Sequence, residues 1–181
     1  DAESQGTFWV NLPDFGSSVG SLQLQRGVGT SMNGAGAFGA SINLTTDRIS
    51  DSSYVQLANG FGSFNTRKHS VMFSTGLISN QFELSGRLSK IDSDGYIDRA
   101  SADLKSYFLQ GIFRHQNTQI KALAFGGFER TYQSWFGIDG ETLQTDRTYN
   151  PAGENYTSDG KLIGFYDCLL YTSPSPRDEQ S

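Results

Sequence analysis

Gln81-Phe82-Glu83-Leu84-Ser85-Gly86-Arg87-Leu88-Ser89-Lys90-Ile91 alternates between two kinds of side chain. Phe82, Leu84, Gly86 and Leu88 fall on one face of an extended strand and Glu83, Ser85, Arg87 and Ser89 on the other, because successive side chains of a strand point to opposite sides. Residues 53–61, 68–77, 104–114 and 118–128 also read as long strands, the last two alternating less cleanly. Their connectors differ in a patterned way. Residues 78–80 and 115–117 are short turns, whereas residues 92–103 and everything after Arg130 are long. Short turns at one end of a meander and long loops at the other are the pattern of a transmembrane β-barrel. Residues 62–65 depart from it, as a short loop on the side that should be long.

Composition agrees with a mainly β chain. The 181 residues include 21 Gly, 13 Phe and 8 Tyr but only 4 Pro, and runs of the helix formers Ala, Leu, Glu and Lys are scarce. With 14 basic and 19 acidic residues the net charge is -5, and no stretch gathers Lys and Arg on one face, so nucleic acid is set aside as a partner. No run approaches the roughly 18 apolar residues of a membrane helix; the longest apolar stretch, residues 122–128, is broken by glycines. A barrel strand needs only about 9–11 residues with every second one facing lipid, so the mildly negative mean hydropathy suits both a barrel and a soluble β protein. The chain opens at Asp1 without Met, basic n-region or apolar h-region, and we read it as beginning mid-protein.

The C-terminal stretch reads differently. Cys168-Leu-Leu-Tyr-Thr-Ser-Pro-Ser-Pro-Arg-Asp178 coincides with a translation of the adaptor that transposase-based sequencing libraries attach to DNA ends. Residues 168–181 are therefore expected to be a non-native tail that lacks structure and packs against nothing. The single cysteine belongs to it, which leaves no disulfide framework, zinc cluster or cysteine nucleophile in the rest.

Toward the N-terminus, residues 11–14 followed by 15–19 look like a cap and one or two helical turns. Residues 22–26 form a strand pattern, Gly27, Gly29, Gly34, Gly36 and Gly39 mark a turn region, and residues 40–46 resume a strand. Two motif hits lack the context their chemistry needs. Gly34-Ala-Gly36-Ala-Phe-Gly39 fits the dinucleotide fingerprint but leads into a strand, where a pyrophosphate-binding helix is required. Gly16-Ser-Ser18-Val-Gly20 fits a nucleophile elbow, yet a helical turn precedes it and a strand follows, the reverse order. His69 and His115 stand alone, with no Cys, Asp or Glu at ligand spacing. Asp92, Asp94, Asp98 and Asp103 concentrate carboxylates in one segment; their spacing fits no twelve-residue calcium loop, and a solvated loop is the expected reading.

A family resemblance enters at Leu22-Gln-Leu-Gln-Arg26-Gly27 and runs through Asn33-Gly-Ala-Gly-Ala-Phe-Gly-Ala-Ser-Ile-Asn-Leu44. This run resembles the segment that closes the plug of TonB-dependent outer-membrane receptors, an apolar-Glu-x-x-Arg-Gly pattern followed by Gly-x-x-Ala-x-Gly-Gly-x-Ile-Asn. Gly36, Phe38, Gly39, Ile42 and Asn43 fall in register; Gln23 stands for the usual Glu and Val28 for the usual Pro. Residues 94–101 and 103–105 resemble the first barrel strands of a siderophore-receptor-like group common in Bacteroidota.

The resemblance implies a division. Residues 1–50 would be the C-terminal part of a plug domain, and residues 51–167 the first antiparallel strands, about five, of an incomplete transmembrane β-barrel that the family builds with about 22 strands. The implied plug motif is Arg26, Gly27, Gly34, Gly36, Gly39 and Asn43. Arg26, inside a lumen of low dielectric, would need a carboxylate from the barrel wall. The implied function is that of a receptor in the outer membrane of a Gram-negative bacterium. It would capture a scarce nutrient, most often a ferric siderophore or other metal chelate, and import it with energy from the TonB complex, whose contact segment would lie upstream of Asp1. Outer-membrane lipid and the chelate are the other implied partners, with no catalysis, resident metal or cofactor. Gln5, Thr7, Phe8 and Trp9 are the candidate chelate contacts, aromatic faces for planar chelating groups and polar atoms for the rim, although Phe8 and Trp9 could equally pack the plug against the wall. A passive porin or adhesin barrel and a soluble carbohydrate-binding β protein are the competing readings.

Overall fold

The computed structural model describes residues 13–27, 39–46 and 50–172. A 3-10 turn, Phe15–Ser18, leads into β1 (Ser21–Arg26), which pairs antiparallel with β2 (Ala40–Thr45). Five long strands follow: β3 (Tyr54–Phe61), β4 (Arg67–Ser74), β5 (Phe82–Ser93), β6 (Ala102–His115) and β7 (Thr118–Tyr132). They form the expected antiparallel meander, each strand beside its sequence neighbour. A long excursion then carries a short helix α1 (Gly140–Thr145) and the hairpin β8 (Glu154–Tyr156) and β9 (Leu162–Phe165) before β10 (Leu169–Thr172).

The two ends of the sheet are unlike. At the turn end, β6 and β7 join through Gln116 and Asn117 alone. The β4–β5 turn is tightened by Gly76, whose left-handed φ of 66° ends β4 at Ser74, three residues short of the expected limit. At the loop end lie the β3–β4 and β5–β6 connections and the excursion after Tyr132. That excursion was expected only as a long loop. Its helix forms because the Asp139 carboxylate accepts the Glu141 and Thr142 N–H groups at 3.0 and 2.9 Å, satisfying two orphan donors of the first turn.

Register assigns every side chain of the meander to a face, since directly paired residues of an antiparallel ladder share one. One face carries Ser74, Glu83, Arg87, Ser89 and Gln110, all buried, together with the apolar residues Phe108 and Ile112. The other carries Val55, Leu57, Val71, Leu88, Tyr107, Leu109 and Ile120, all exposed, with Val55 and Leu57 at 72% and 70%. The usual arrangement of a soluble sheet, apolar in and polar out, is reversed.

What covers the polar face is the chain's own N-terminal segment. Phe15 packs on Phe125 with ring centroids 5.2 Å apart, and Phe125 in turn lies against Phe108. Pro13 sits directly over Gly127, where an added Cβ would come within 2.5 Å of the proline ring and 2.7 Å of the Lys105 carbonyl oxygen.

One expectation is overturned. Leu169–Thr172 is not unstructured; it pairs antiparallel with β7, Leu169 opposite Tyr132 through Thr172 opposite Glu129. The second edge of β7 presents unpaired N–H and C=O groups, and any extended β-prone segment within reach can pair with them. Such pairing uses the backbone and carries no information on where the segment comes from. Residues 173–181 lie outside the described residues.

The close approach at Gly127 yields a test. Gly127→Ala should lift Pro13 from the sheet at a cost of about 1–3 kcal/mol, the range for overpacking. Limited proteolysis should then cut within residues 13–20 more readily, while amide exchange of β4 and β5, away from the clash with the Lys105 carbonyl, stays slow.

Candidate functional site

The contact between the N-terminal segment and the polar face centres on Asp14. Its backbone is left-handed, at φ 52° and ψ 21°, a conformation that Asp and Asn tolerate better than most residues, and it aims the carboxylate at β5. One carboxylate oxygen accepts Arg87 Nη1 at 2.6 Å and the Ser89 hydroxyl. The other accepts Lys68 Nζ at 2.7 Å and the Ser17 hydroxyl at 2.6 Å.

Arg87 is equally well supplied. Its Nη2 donates to the Asp14 carbonyl oxygen at 2.7 Å, and its Nε donates to the Ser18 hydroxyl at 2.8 Å. With side chains only 2% and 8% exposed, Arg87 and Asp14 form a buried ion pair in which every side-chain nitrogen and oxygen has a hydrogen-bond partner. Burial pushes the Asp14 pKa up, but hydrogen bonds from Lys68, Ser17 and Ser89 and the Arg87 charge outweigh it and hold the carboxyl at about 2. Such a pair adds little net stability; separating its members is what is costly.

Four residues before Arg87 on the same face, Glu83 is fully buried. One of its oxygens accepts the Ser50 N–H at 3.1 Å and the Ser74 hydroxyl at 2.8 Å. Its other oxygen has no partner among the described residues. Strand β5 thus holds the N-terminal segment at two points, through Asp14 ahead of β1 and through Ser50 beyond β2.

Arg26 lies apart from this junction. It is exposed, stands opposite Ala40 and makes no ion pair with a described residue. Two carboxylates are buried on the polar face of the wall, Glu83 and Glu129, and Glu83 is engaged with Ser50. The charge that crosses from segment to sheet is a carboxylate, and the wall supplies the cations. A polar, charged face on β5 was legible in the alternation of residues 81–91, but nothing local in the sequence names Asp14 as the partner of Arg87.

The other sequence-derived residues fall as follows. Gly27 has φ 78°, and its N–H bonds the Gly39 carbonyl at 3.0 Å, closing the β1–β2 ladder where a side chain would strain the backbone. Asn43 lies opposite Gln23. Gly34, Gly36, Gln5, Thr7, Phe8 and Trp9 lie outside the described residues. Ser18 receives a hydrogen bond from a guanidinium, which takes no proton from a hydroxyl. His69 pairs with Asn59 and His115 with Gln81. Among the described residues no three His, Cys, Asp or Glu side chains converge as a metal site; Asp92 and Asp103 lie beside Lys90 and Lys105.

Removing the charge of Asp14 tests the junction. Asp14→Ala should cost about 3–5 kcal/mol in denaturant unfolding, because Arg87 is left buried and uncompensated. The pH dependence has a definite sign. A carboxyl lowered to about 2 in the fold contributes stability that is full above its ordinary pKa of 3.8 and lost as pH falls toward 2. Asp14→Asn should flatten the stability profile in that window, read by the unfolding midpoint at each pH.

In comparisons with known proteins, no family model matches the chain, and neither a curated protein nor a solved structure does.

Proposed function

We propose that the chain is part of a TonB-dependent outer-membrane transporter, residues 1–50 closing its plug and residues 51–167 opening its barrel. The reading rests first on the resemblance of residues 22–44 to the closing plug segment. The observation that carries it furthest is the reversed sheet, apolar outside and polar inside, with a segment of the same chain ion-paired to the polar face. A soluble carbohydrate-binding sandwich would bury the apolar face instead. A passive porin would leave the polar face to water.

Dimensions support the same reading. The outward apolar positions of β5 run from Phe82 to Leu88, about 20 Å at ~3.4 Å per residue, close to the band of about 25 Å that a barrel shows to lipid. Phe82 and Phe113 bound the band at the turn end, beside Ile120, and Tyr107 and Phe128 toward the loop end, as interfacial aromatics do. The short turns would then face the periplasm and the long loops the outside.

In this reading a metal chelate binds from the loop side against Gln5, Thr7, Phe8 and Trp9, and the TonB complex pulls on the plug upstream. Force delivered along the plug meets the Asp14–Arg87 pair and the Ser50–Glu83 bond before the segment can move. These contacts set how far the plug yields before its docking on β5 is lost.

Two measurements test the proposal in a bacterium that carries the complete gene. Growth on a ferric chelate as sole iron source should fail on deleting the gene and equally on deleting tonB. Growth that survives loss of TonB would favour the passive barrel. With the full-length receptor, Trp9→Ala should weaken chelate affinity by about 1–3 kcal/mol with normal membrane insertion, as for a lost aromatic anchor.

A further inference from the structure

Just beyond the apolar band, on the outward face, the register brings charges of one sign together. Lys90 and Lys105 are direct cross-strand partners, and two residues further toward the loop end Asp92 and Asp103 are partners as well. Like charges placed opposite each other destabilise a sheet, and exchanging one pair's order would have removed both repulsions. Instead each lysine pairs along its own strand, Lys90 with Asp92 at 3.0 Å and Lys105 with Asp103 at 3.5 Å.

The outer row is completed by Arg67, opposite Asp92, and Arg130, opposite Asp103. Two carboxylates therefore stand among four cations. The cations of the lysine row lie nearest the apolar band, one step from Leu88 and Tyr107, which are themselves partners in the adjacent row. Both lysine side chains remain about half exposed, at 49% and 54%.

From this arrangement we infer that the Lys90–Lys105 pair, flanked by Arg67 and Arg130, is a docking site for the phosphate headgroup of an anionic membrane lipid. The inference rests on the transporter reading, which puts this face in the bilayer. Cross-strand partners have Cα atoms about 4.5–5.5 Å apart, so one phosphate can accept from both ammonium groups and replace their repulsion by two charge-assisted hydrogen bonds. The acyl chains of the same lipid would lie along the apolar rows that begin at Leu88 and Tyr107. Lysine stems of this kind cover apolar surface while their heads reach the interface. A free anion would gain the phosphate contacts and none of the apolar ones.

The complete receptor, reconstituted in phosphatidylcholine bilayers that contain spin-labelled phosphatidic acid, provides the test. The wild-type protein should immobilise phosphatidic acid in preference to spin-labelled phosphatidylcholine, and the preference should fall with added salt. K90Q/K105Q should lower it roughly thirtyfold, the order expected for the loss of two basic groups at an anionic surface. Arg67→Gln should lower it less. Unchanged heat-modifiable migration on gels would show that the variants fold. Millimolar inorganic phosphate should not displace the lipid; equal competition by phosphate would make this an anion site and overturn the lipid assignment. Equal preference in wild type and K90Q/K105Q would overturn the site and leave the transporter reading standing. Failure of the wild-type protein to resist carbonate extraction from the bilayers would overturn both.

Discussion

Strand β5 imposes a constraint that the rest of the structure meets at each nitrogen of Arg87 and at one of the two oxygens of Glu83. Its inward positions hold Glu83 and Arg87, both almost without solvent contact, and charged groups so buried must be paired and hydrogen-bonded to be tolerated. Neighbouring strands supply part of this, through the hydroxyls of Ser74 and Ser106. The remainder comes from outside the sheet, from the Asp14 carboxylate and carbonyl, the Ser18 hydroxyl and the Ser50 N–H. The sheet and the segment over it are therefore mutually dependent. Neither presents a satisfied surface without the other.

The outward face follows from the same alternation. A strand that places its charges inward places Phe82, Leu84 and Leu88 outward, and the cross-strand register extends that choice to β3, β4, β6 and β7. In water an exposed apolar sheet of this breadth would invite association. In a bilayer it is the surface that the solvent requires. The edges tell a related story: β7 accepts a four-residue strand from beyond the long excursion, which shows how readily an open edge recruits backbone partners.

The polarity of the junction has mechanical meaning under the transporter reading. With the carboxylate on the moving segment and the cations on the wall, Asp14 is held from two strands at once, by Arg87 on β5 and Lys68 on β4. Ser17 and Ser89 add neutral hydrogen bonds that orient the carboxylate. A displacement along the segment must break several of these together, because they converge on one carboxylate. That convergence makes the attachment cooperative and local, while Arg26, exposed at the far end of β1, takes no part.

Period-two alternation in residues 81–91, the spacing of turns and the glycines around residues 27–39 were enough to specify an antiparallel meander preceded by a small hairpin, because strand pairing and turn chemistry are local properties of the chain. The same alternation showed that one face would be charged. The capped helix after Tyr132 escaped detection, since six residues are too few to establish a helical period. Which carboxylate meets Arg87 could not be read in this way, and the expectation centred on Arg26 instead. Asp14 and Arg87 are 73 positions apart, and their pairing depends on a left-handed turn, on Pro13 seating over Gly127 and on the register of β4 against β5. Local composition determined the elements and their two faces; only tertiary structure decided which charges face each other, because an ion pair is set by distance in space and the sequence records distance along the chain.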